Sequence, residues 1–342
     1  MKTHYFASAN SYNGFLSLFG EIFNRKKFER TFILKGGPGT GKSTFMKKVA
    51  KEMEAQGANI EYYYCSSDID SLDAVIISLN GKKFAIMDGT SPHENDAIYV
   101  GAVDEIINLG SNVDYDWIRT YKEKIIVLSD QKSEAYKNAY SYLSIAGECD
   151  KHICKAKMKS FDFKSADKYI EGLEKYIDFS IKHTEEKKFI SSFSKNGYKS
   201  FELAADKKIK IGGGQRESIL LISYMNNALQ IGKKEVFPTP LNFQNSDAIR
   251  FGENFAIQYD GVTYDINSAS FFDQSASAIE GVRTMQSIYQ NSIDKAKRWF
   301  TIASDMHFRL EEIYQKCMNF DKNEEKLVET NKKILKLCDY DS

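Results

Sequence analysis

The sequence contains no long hydrophobic run. Its longest apolar stretches, residues 74–79 and 125–128, fall far short of the roughly 18 residues that a membrane-spanning helix requires. Near the N-terminus, Asn10, Ser11 and Asn13 interrupt the apolar residues, so the continuous apolar core of a signal peptide is missing. We therefore expect a cytoplasmic protein without membrane segments.

A net charge and a cysteine framework are also absent. The 47 Lys and Arg residues balance 47 Asp and Glu residues, so no global field draws the chain to nucleic acid or to an anionic bilayer. The basic residues between positions 151 and 159 lie on a predicted helix and are typical of a solvated face, which argues against a nucleic-acid partner. The five cysteines form no CxxC pair, and we predict that they are reduced core residues.

The chain resembles itself over nearly its whole length. Three segments of the first half return in the same order in the second half, 6–15 in 189–198, 72–89 in 246–261 and 158–162 in 318–321. With 342 residues and 42% hydrophobic content, the chain can form two cores. A polar run at 182–188 separates the copies, so we predict domains at 1–185 and 186–342.

Each copy is predicted to be an α/β domain with a long helical arm. In the first copy, residues 31–35, 60–65 and 84–87 are β-rich, and apolar residues recur at helical spacing between 46 and 53. This alternation predicts a mostly parallel sheet flanked by helices. After Asp116 the helical spacing continues for many turns, and the second copy repeats this pattern towards its end.

A glycine-rich motif lies between the first of these strands and the helix. Residues 36–43 fit the G-x-x-x-x-G-K-[ST] pattern of a P-loop. Glycines let successive backbone N–H groups turn inward, which forms an anion-binding nest at the positive end of the following helix. The motif predicts binding of ATP with Mg²⁺. The predicted phosphate-binding residues are Gly36, Gly37, Pro38, Gly39, Thr40, Gly41, Lys42, Ser43 and Thr44.

Each polar residue of this motif has a predicted role. Lys42 is expected to reach the β- and γ-phosphates, and the Ser43 hydroxyl is expected to coordinate Mg²⁺. A P-loop also requires an acid at the end of a neighbouring strand, and Asp88 follows the apolar residues 84–87. We predict Lys42 and Asp88 as catalytic residues and Ser43 and Asp88 as metal ligands. Alternatively, Asp88 is a turn residue, because Asp-Gly is a common turn.

The sequence does not identify a catalytic base or an arginine for the γ-phosphate. Many ATPases carry Glu directly after the metal-binding Asp, and this chain has Gly89 there. The candidate bases are Asp68, Asp70, Asp73, His93, Glu94 and Asp96. The candidate cations are Arg25, Arg30 and Arg119.

The second copy is predicted to have lost its phosphate site. Aligning the copies places Arg216 at Gly41, Glu217 at Lys42 and Ser218 at Ser43. Arg216 brings a long side chain to a position that favours glycine, and Glu217 brings a negative charge towards phosphate. The same alignment places Asp260 at Asp88. We therefore predict a degenerate P-loop domain with a packing, regulatory or partner-binding role.

Taken together, the motifs resemble a family of bacterial tandem P-loop proteins described as ATPase-like or nucleotide-kinase-like. The resemblance rests on residues 6–9, 34–44, 65–68, 88–93 and 103–110. It implies ATP binding at Lys42 and Ser43 and supplies no substrate. Family members usually carry an intact P-loop in each half, and this chain departs from that pattern in its second half.

Three functions follow from these predictions. The first is a Mg²⁺-dependent ATPase or nucleotide-driven switch, which the long arms favour. The second is a kinase that transfers the γ-phosphate to a small molecule or nucleotide. The third is a nucleotide-sensing scaffold that hardly turns ATP over. The sequence leaves open the protein partner or small-molecule acceptor, the preference for ATP or GTP, and the oligomeric state.

Overall fold

The computed structural model describes residues 2–90, 96–178, 180, 182–273 and 282–339. The chain forms two compact units. The first unit comprises Met1–Ser8, Ser17–Lys137 and Trp299–Ser342, and the second comprises Ala9–Leu16 and Asn138–Arg298. Each unit therefore draws on separate stretches of the chain. The repeat boundary predicted near residue 185 concerns sequence similarity and stays a prediction.

Strands and helices follow one another in a mixed α/β order. The described strands are β1 (Lys2–Phe6), β2 (Ser8–Ser11), β3 (Gly14–Ser17), β4 (Arg30–Lys35), β5 (Asn59–Tyr64), β6 (Leu72–Leu79), β7 (Lys82–Asp88), β8 (Asp104–Asn108), β9 (Thr184–Lys187), β10 (Ser191–Ser194), β11 (Gly197–Ser200), β12 (Lys207–Gly212), β13 (Lys233–Pro238), β14 (Ser246–Phe251), β15 (Phe255–Tyr259) and β16 (Ile266–Asn267). The described α-helices are α1 (Phe19–Ile22), α2 (Lys42–Ala55), α3 (Tyr115–Arg119), α4 (Lys122–Met158), α5 (Phe163–Glu171), α6 (Gln215–Ala228), α7 (Arg283–Gln315) and α8 (Phe320–Asp339).

The first unit contains a mixed six-stranded sheet. Its strand order is β1-β5-β6-β7-β4-β8, and β6 alone runs against the other strands. The carboxyl ends of β4, β7 and β8 therefore meet at one edge of the sheet. Because β6 is antiparallel, its first residues lie at that same edge.

The second unit contains a sheet with the same plan. Its order is β16-β12-β15-β14-β13-β9, and β14 alone is antiparallel. Read in reverse, this order is β9-β13-β14-β15-β12-β16, which corresponds strand by strand to β1-β5-β6-β7-β4-β8 of the first sheet. A small hairpin also recurs, formed by β2 and β3 near the start and by β10 and β11 in the second half. This correspondence agrees with the order of the sequence repeat.

The antiparallel strand β6 corrects the expected alternation of strands and helices. Its hairpin with β7 turns at Asn80 and Gly81, which both have positive φ angles, 49° and 78°. Asn-Gly is the strongest short-range sequence signal for such a two-residue hairpin. Residues 72–79 lack strict alternation because seven of these eight residues are buried, so the turn was the signal that could have identified this strand.

The core of the first unit lies between the sheet and helix α2. Buried residues of α2 recur at helical spacing: Phe45, Met46, Val49, Ala50 and Met53. They pack with fully buried sheet residues such as Phe32, Phe84 and Ile86. Each such large apolar side chain contributes about 1.5–3 kcal/mol when it leaves water. This packing holds the N-terminus of α2 at the carboxyl edge of β4.

The predicted helical arms are present as long helices. Helix α4 has 37 residues and α7 has 33. Within the first unit, Leu128 of α4 packs against Leu310 and Ile313 of α7, and Tyr136 contacts Phe300 edge-on at 5.9 Å between ring centroids. Among the described residues, no helix is both long and apolar enough to span a bilayer.

Candidate functional site

The glycine-rich loop connects β4 to α2 at the carboxyl edge of the first sheet. It comprises the six residues from Gly36 to Gly41. Gly39 and Gly41 have φ angles of 71° and 88°, a region that side chains other than glycine rarely adopt. Gly41 is the N-cap of α2 and provides no side-chain cap. The loop therefore leads the backbone directly into the positive end of a 14-residue helix.

Helix α7 lies against the outer side of this loop. A Cβ atom added to Gly37 would come within 2.9 Å of the Tyr314 ring, and one added to Gly39 would come within 2.7 Å of the Glu311 carbonyl oxygen. Packing against α7 therefore favours glycine at both positions. The Glu311 pKa is lowered mainly by a hydrogen bond with His307, and the positive charge of Lys42 and the Gly39 N–H lower it further.

Lys42 lies at the first position of α2 and folds back over the loop. Its ammonium group donates hydrogen bonds to the carbonyl oxygens of Gly36 at 2.7 Å and Gly37 at 2.9 Å. The same nitrogen lies 3.7 Å from the Asp88 carboxylate. Both side chains are mostly buried, with 11% and 15% exposed. The structure therefore brings together the lysine and the acid that the sequence paired.

Asp88 is the last residue of β7 and pairs with Leu34 of β4. Its Oδ1 accepts hydrogen bonds from the Thr90 N–H at 2.8 Å and from the Thr90 hydroxyl at 2.6 Å. Asp88 therefore also acts as a turn residue, as in the alternative prediction. Its Oδ1 atom accepts the hydrogen bonds of the turn, and its Oδ2 atom faces Lys42. Burial raises the pKa of Asp88, and the charge of Lys42 opposes this effect.

Ser43 and Asp73 lie at the same edge. The Ser43 hydroxyl oxygen accepts a hydrogen bond from the Leu72 N–H at 2.9 Å, which joins α2 to the start of β6. Asp73 follows Leu72 in β6. The antiparallel strands β6 and β7 pair Ala74 with Met87, so Asp73 and Asp88 are the next residues of the two strands at this edge. Asp73 is buried, and its charge adds to the raised pKa of Asp88.

The other candidate bases are less well placed. Asp68 is exposed in a turn, where it accepts a hydrogen bond from the Asp70 N–H. Asp96 is 92% exposed and pairs with Lys35 at 2.9 Å. His93 and Glu94 lie outside the described residues. Of the candidates that the structure describes, Asp73 is the one placed in a buried position beside Asp88.

The three arginines that were candidates for contacting the γ-phosphate either bind other groups or lie exposed on the surface. Arg25 is buried and pairs with Asp104 at 2.8 Å. Arg30 donates to the Gly101 carbonyl oxygen at 3.0 Å, and Arg119 is exposed in the last turn of α3. Among the described residues, no hydrogen bond or ion pair joins these guanidinium groups to the loop.

Several residues around the loop were missed by sequence reasoning because they come from distant helices. Asn323 of α8 donates a hydrogen bond to the Thr40 carbonyl oxygen at 2.9 Å and accepts one from Asn112 at 2.8 Å. Tyr136 of α4 hydrogen-bonds with Ser67, and desolvation raises the pKa of Tyr136 to about 12. No local motif marks such residues, since only tertiary packing brings them near residue 40.

The corresponding loop of the second unit is much shorter. Strand β12 ends at Gly212 and α6 begins at Gln215, so the loop has the two residues Gly213 and Gly214 instead of six. Counted from the start of each helix, Arg216 corresponds to Ser43, so the predicted alignment of Arg216, Glu217 and Ser218 with Gly41, Lys42 and Ser43 does not match the helix starts. A loop of two residues offers fewer backbone N–H groups to a phosphate than a loop of six residues.

The strand register corrects the position of the second acid. Leu34 pairs with Asp88 in the first sheet, whereas Ile211 pairs with Tyr259 in the second. Tyr259 therefore occupies the place of Asp88, and Asp260 lies one residue later. Asp260 accepts a hydrogen bond from the Val262 N–H and pairs with Lys210, which lowers its pKa to about 2.

Internal ion pairs occupy the N-terminal turn of α6. Arg216 pairs with Asp150 at 2.9 Å, and Glu217 pairs with Lys157 at 2.5 Å. The Ser218 hydroxyl donates to the Gly212 carbonyl oxygen at 3.2 Å. Asp150 and Lys157 of α4 thus neutralise the two charged side chains of this turn, Arg216 and Glu217.

A buried acid of the second unit predicts a pH-dependent stability. Asp247 of β14 accepts a hydrogen bond from Ser191, and full burial raises its pKa from 3.8 to about 6. The protonated form is favoured in the folded state, so this contribution is complete below about pH 4 and is lost as the pH rises through about 6. The free energy of unfolding of wild type should fall by about 3 kcal/mol as the pH rises through this range. Asp247→Asn should not show this fall.

Urea unfolding of wild type and Asp247→Asn at pH 4.5 and 7.5 measures this difference. The variant should gain stability relative to wild type at the higher pH. Asp206→Asn changes an exposed carboxylate of the same unit and is the matched control. An Asp247→Asn protein with the same pH dependence as wild type would contradict the assignment.

Comparison with known proteins yields one partial similarity. The family model described as Nephrocystin 3, N-terminal, matches residues 17–79, well under half of the chain. The matched segment includes the glycine-rich loop and extends from the end of β3 to the end of β6. No curated protein and no solved structure matches the chain.

Proposed function

We propose that the first unit binds ATP with Mg²⁺ at its glycine-rich loop and acts as a slow ATPase or a nucleotide-driven switch. The observation that carries this proposal is the 3.7 Å approach of Lys42 to Asp88, at the point where a six-residue glycine loop enters helix α2. Lysine, helix N-terminus and strand-end acid are the three parts that a triphosphate and its metal require.

The loop has the chemistry of an anion site. A carboxylate of the chain, that of Glu311, already interacts with the Gly39 N–H and with Lys42. A phosphate oxygen carries the same kind of negative charge and would find the same donors. The bound triphosphate would lie along Gly36, Gly37, Pro38, Gly39, Thr40, Gly41, Lys42, Ser43 and Thr44. On binding, Lys42 would exchange its two carbonyl partners for phosphate oxygens.

Ser43 and Asp88 fit the proposed magnesium site. Mg²⁺ prefers hard oxygen ligands and commonly binds one or two protein groups together with substrate phosphates. The Ser43 oxygen uses one lone pair to accept from Leu72 and retains another for a metal. Bound Mg²⁺ would neutralise charge on the phosphates. Asp88 would then be ionised, because a cation offsets the burial that raises its pKa.

Asp73 is the best-placed group to orient a water molecule or acceptor hydroxyl. It is buried beside Asp88, whereas Asp68 and Asp96 are exposed. Gly89 stands where many ATPases have a glutamate, so hydrolysis is expected to be slow.

The contacts of the loop favour a switch over the alternative kinase. Helices α7 and α8 touch the loop through Tyr314, Glu311 and Asn323, so any change of loop geometry alters their packing. The missing glutamate after Asp88 fits a kinase equally well. ADP formation without an acceptor separates the two, because a kinase is nearly idle under that condition. A scaffold would bind ATP and release no phosphate under any addition.

Metal dependence tests the proposal. We expect ATP binding by wild type with Mg²⁺, and Asp88→Asn should weaken binding of the Mg²⁺ complex and abolish turnover. Isothermal titration with ATP or GTP, repeated with a chelator, measures affinity, and ADP release measures turnover. Asp96→Asn, an exposed carboxylate after the same strand, is the control. Equal binding with and without metal in wild type and Asp88→Asn would refute the metal assignment.

A further inference from the structure

Lys132 of α4 lies on the face of that helix that packs within the first unit. It is four residues from Leu128, which contacts Leu310 and Ile313 of α7. It is also four residues from Tyr136, which interacts with Ser67 and the charge of Asp73. Residues four apart share one helix face. Lys132 therefore lies between the part of α7 that contacts the glycine-rich loop and the edge where Asp73 meets Asp88.

The electrostatic surroundings of Lys132 agree with that position. The Lys132 ammonium is half-buried and interacts with the charges of Lys42 and Glu311. Burial lowers its pKa, and the positive charge of Lys42 lowers it further. Among the described residues, the structure gives this ammonium no hydrogen bond and no ion pair within contact distance. Two like charges that interact in this way are both stabilised when a polyanion binds near them.

We propose that Lys132 contacts the γ-phosphate of the triphosphate bound at the glycine-rich loop, so that helix α4 distinguishes ATP from ADP. This inference rests on the proposed function of the loop. The backbone N–H groups at the start of α2 hold the phosphates nearest the nucleoside, and the terminal phosphate lies farther out, towards Asp88 and Asp73. Lys132 approaches from that side.

The assignment supplies the cation that the sequence could not choose. Arg25 and Arg30 have other partners, and Arg119 is exposed in α3. A lysine on α4 couples the terminal phosphate to a helix of 37 residues. When the γ-phosphate leaves, the ammonium loses its counter-charge and the two lysines repel again. Helix α4 then has a physical reason to change its packing against α7.

The test compares affinities for ADP and for a non-hydrolysable ATP analogue, both with Mg²⁺. We expect Lys132→Ala to weaken binding of the ATP analogue about 10-fold and binding of ADP less than about 2-fold, because a charge-assisted hydrogen bond is lost from one phosphate alone. Lys132→Arg should retain the preference for the ATP analogue. Lys124→Ala, an exposed lysine on the same helix, is the matched control.

Each outcome decides between the inference and its premise. Unchanged affinities in Lys132→Ala, or equal losses for ATP analogue and ADP, would overturn the assignment of Lys132 while wild-type binding still supports the loop. If wild type binds neither nucleotide, the proposed function fails and this inference fails with it. Circular dichroism and the urea midpoint confirm that each variant is folded, and Lys132→Met preserves the apolar stem if Lys132→Ala is unstable.

Discussion

Replacing Lys42 with alanine should remove most of the affinity for ATP while leaving the protein folded. The structure places this ammonium group both over the loop carbonyls and beside Asp88. Hydrogen bonds to charged groups contribute about 1.5–3 kcal/mol each, so losing this cation should weaken binding roughly 10- to 100-fold or more. Titration with ATP and GTP, with turnover recorded alongside, measures the effect.

Two controls belong with this experiment. Lys51→Ala removes an exposed lysine from the same helix and should bind ATP as wild type does. Glu217→Ala changes the second unit, where Glu217 pairs with Lys157, and should leave ATP affinity nearly unchanged. Equal losses in Lys42→Ala and Glu217→Ala would contradict both the site and our account of the second copy.

Removing the carboxylate of Asp104 should destabilise the first unit by about 3–5 kcal/mol, because it leaves a buried guanidinium without its partner. Arg25 and Asp104 pair at 2.8 Å, with 5% and 0% of their side chains exposed. The second oxygen of Asp104 accepts hydrogen bonds from the N–H groups of Ile98 at 2.7 Å and Tyr99 at 2.9 Å. Asp104→Ala therefore breaks one ion pair and two backbone contacts at the start of β8.

Urea unfolding of Asp104→Ala measures this loss. Glu54→Ala breaks an exposed pair with Lys2 in the same unit, and it should change stability by less than about 1 kcal/mol. The double variant Arg25→Met with Asp104→Leu removes both charges and should recover part of the stability. A small loss in Asp104→Ala, comparable to that of Glu54→Ala, would show that the pair is not a major support of β8.

These two results would connect the sheet to the site. Strand β8 is the outer neighbour of β4, and its last residue, Asn108, is followed by a short 3-10 helix at Leu109–Asn112. Asn112 of that helix donates to Asn323, which in turn holds the Thr40 carbonyl oxygen. Loss of β8 order should therefore loosen the outer support of the glycine-rich loop before it affects α2.

The first copy was well predicted where the signal is local. Strand β4 and helix α2 follow from a β-rich run, a glycine-rich loop and apolar residues at helical spacing. The long helices α4 and α7 follow from sustained periodicity. Strand β6 was missed because it is buried along nearly its whole length, which hides the alternation that reveals a half-exposed strand.

The second copy shows where sequence alignment fails. Glycines 212–214 resemble the loop of the first copy, yet the loop between β12 and α6 has only two residues. The alignment also shifted Asp260 by one residue relative to the strand ladder, and a shift of one residue turns a side chain to the other face of a sheet. Hydrogen-bond register decides such questions, and a residue pattern alone does not contain it.

The glycine-rich loop, the strand before it and the helix after it could be read from the sequence, because they depend on backbone preferences and on spacing within about 20 residues. The distant groups that surround the loop could not be read in this way. Asp73, Lys132, Glu311 and Asn323 lie at or near residues 36–43 because strand pairing and helix packing bring together segments far apart in the chain. Such long-range contacts depend on the whole core, and no single segment encodes them.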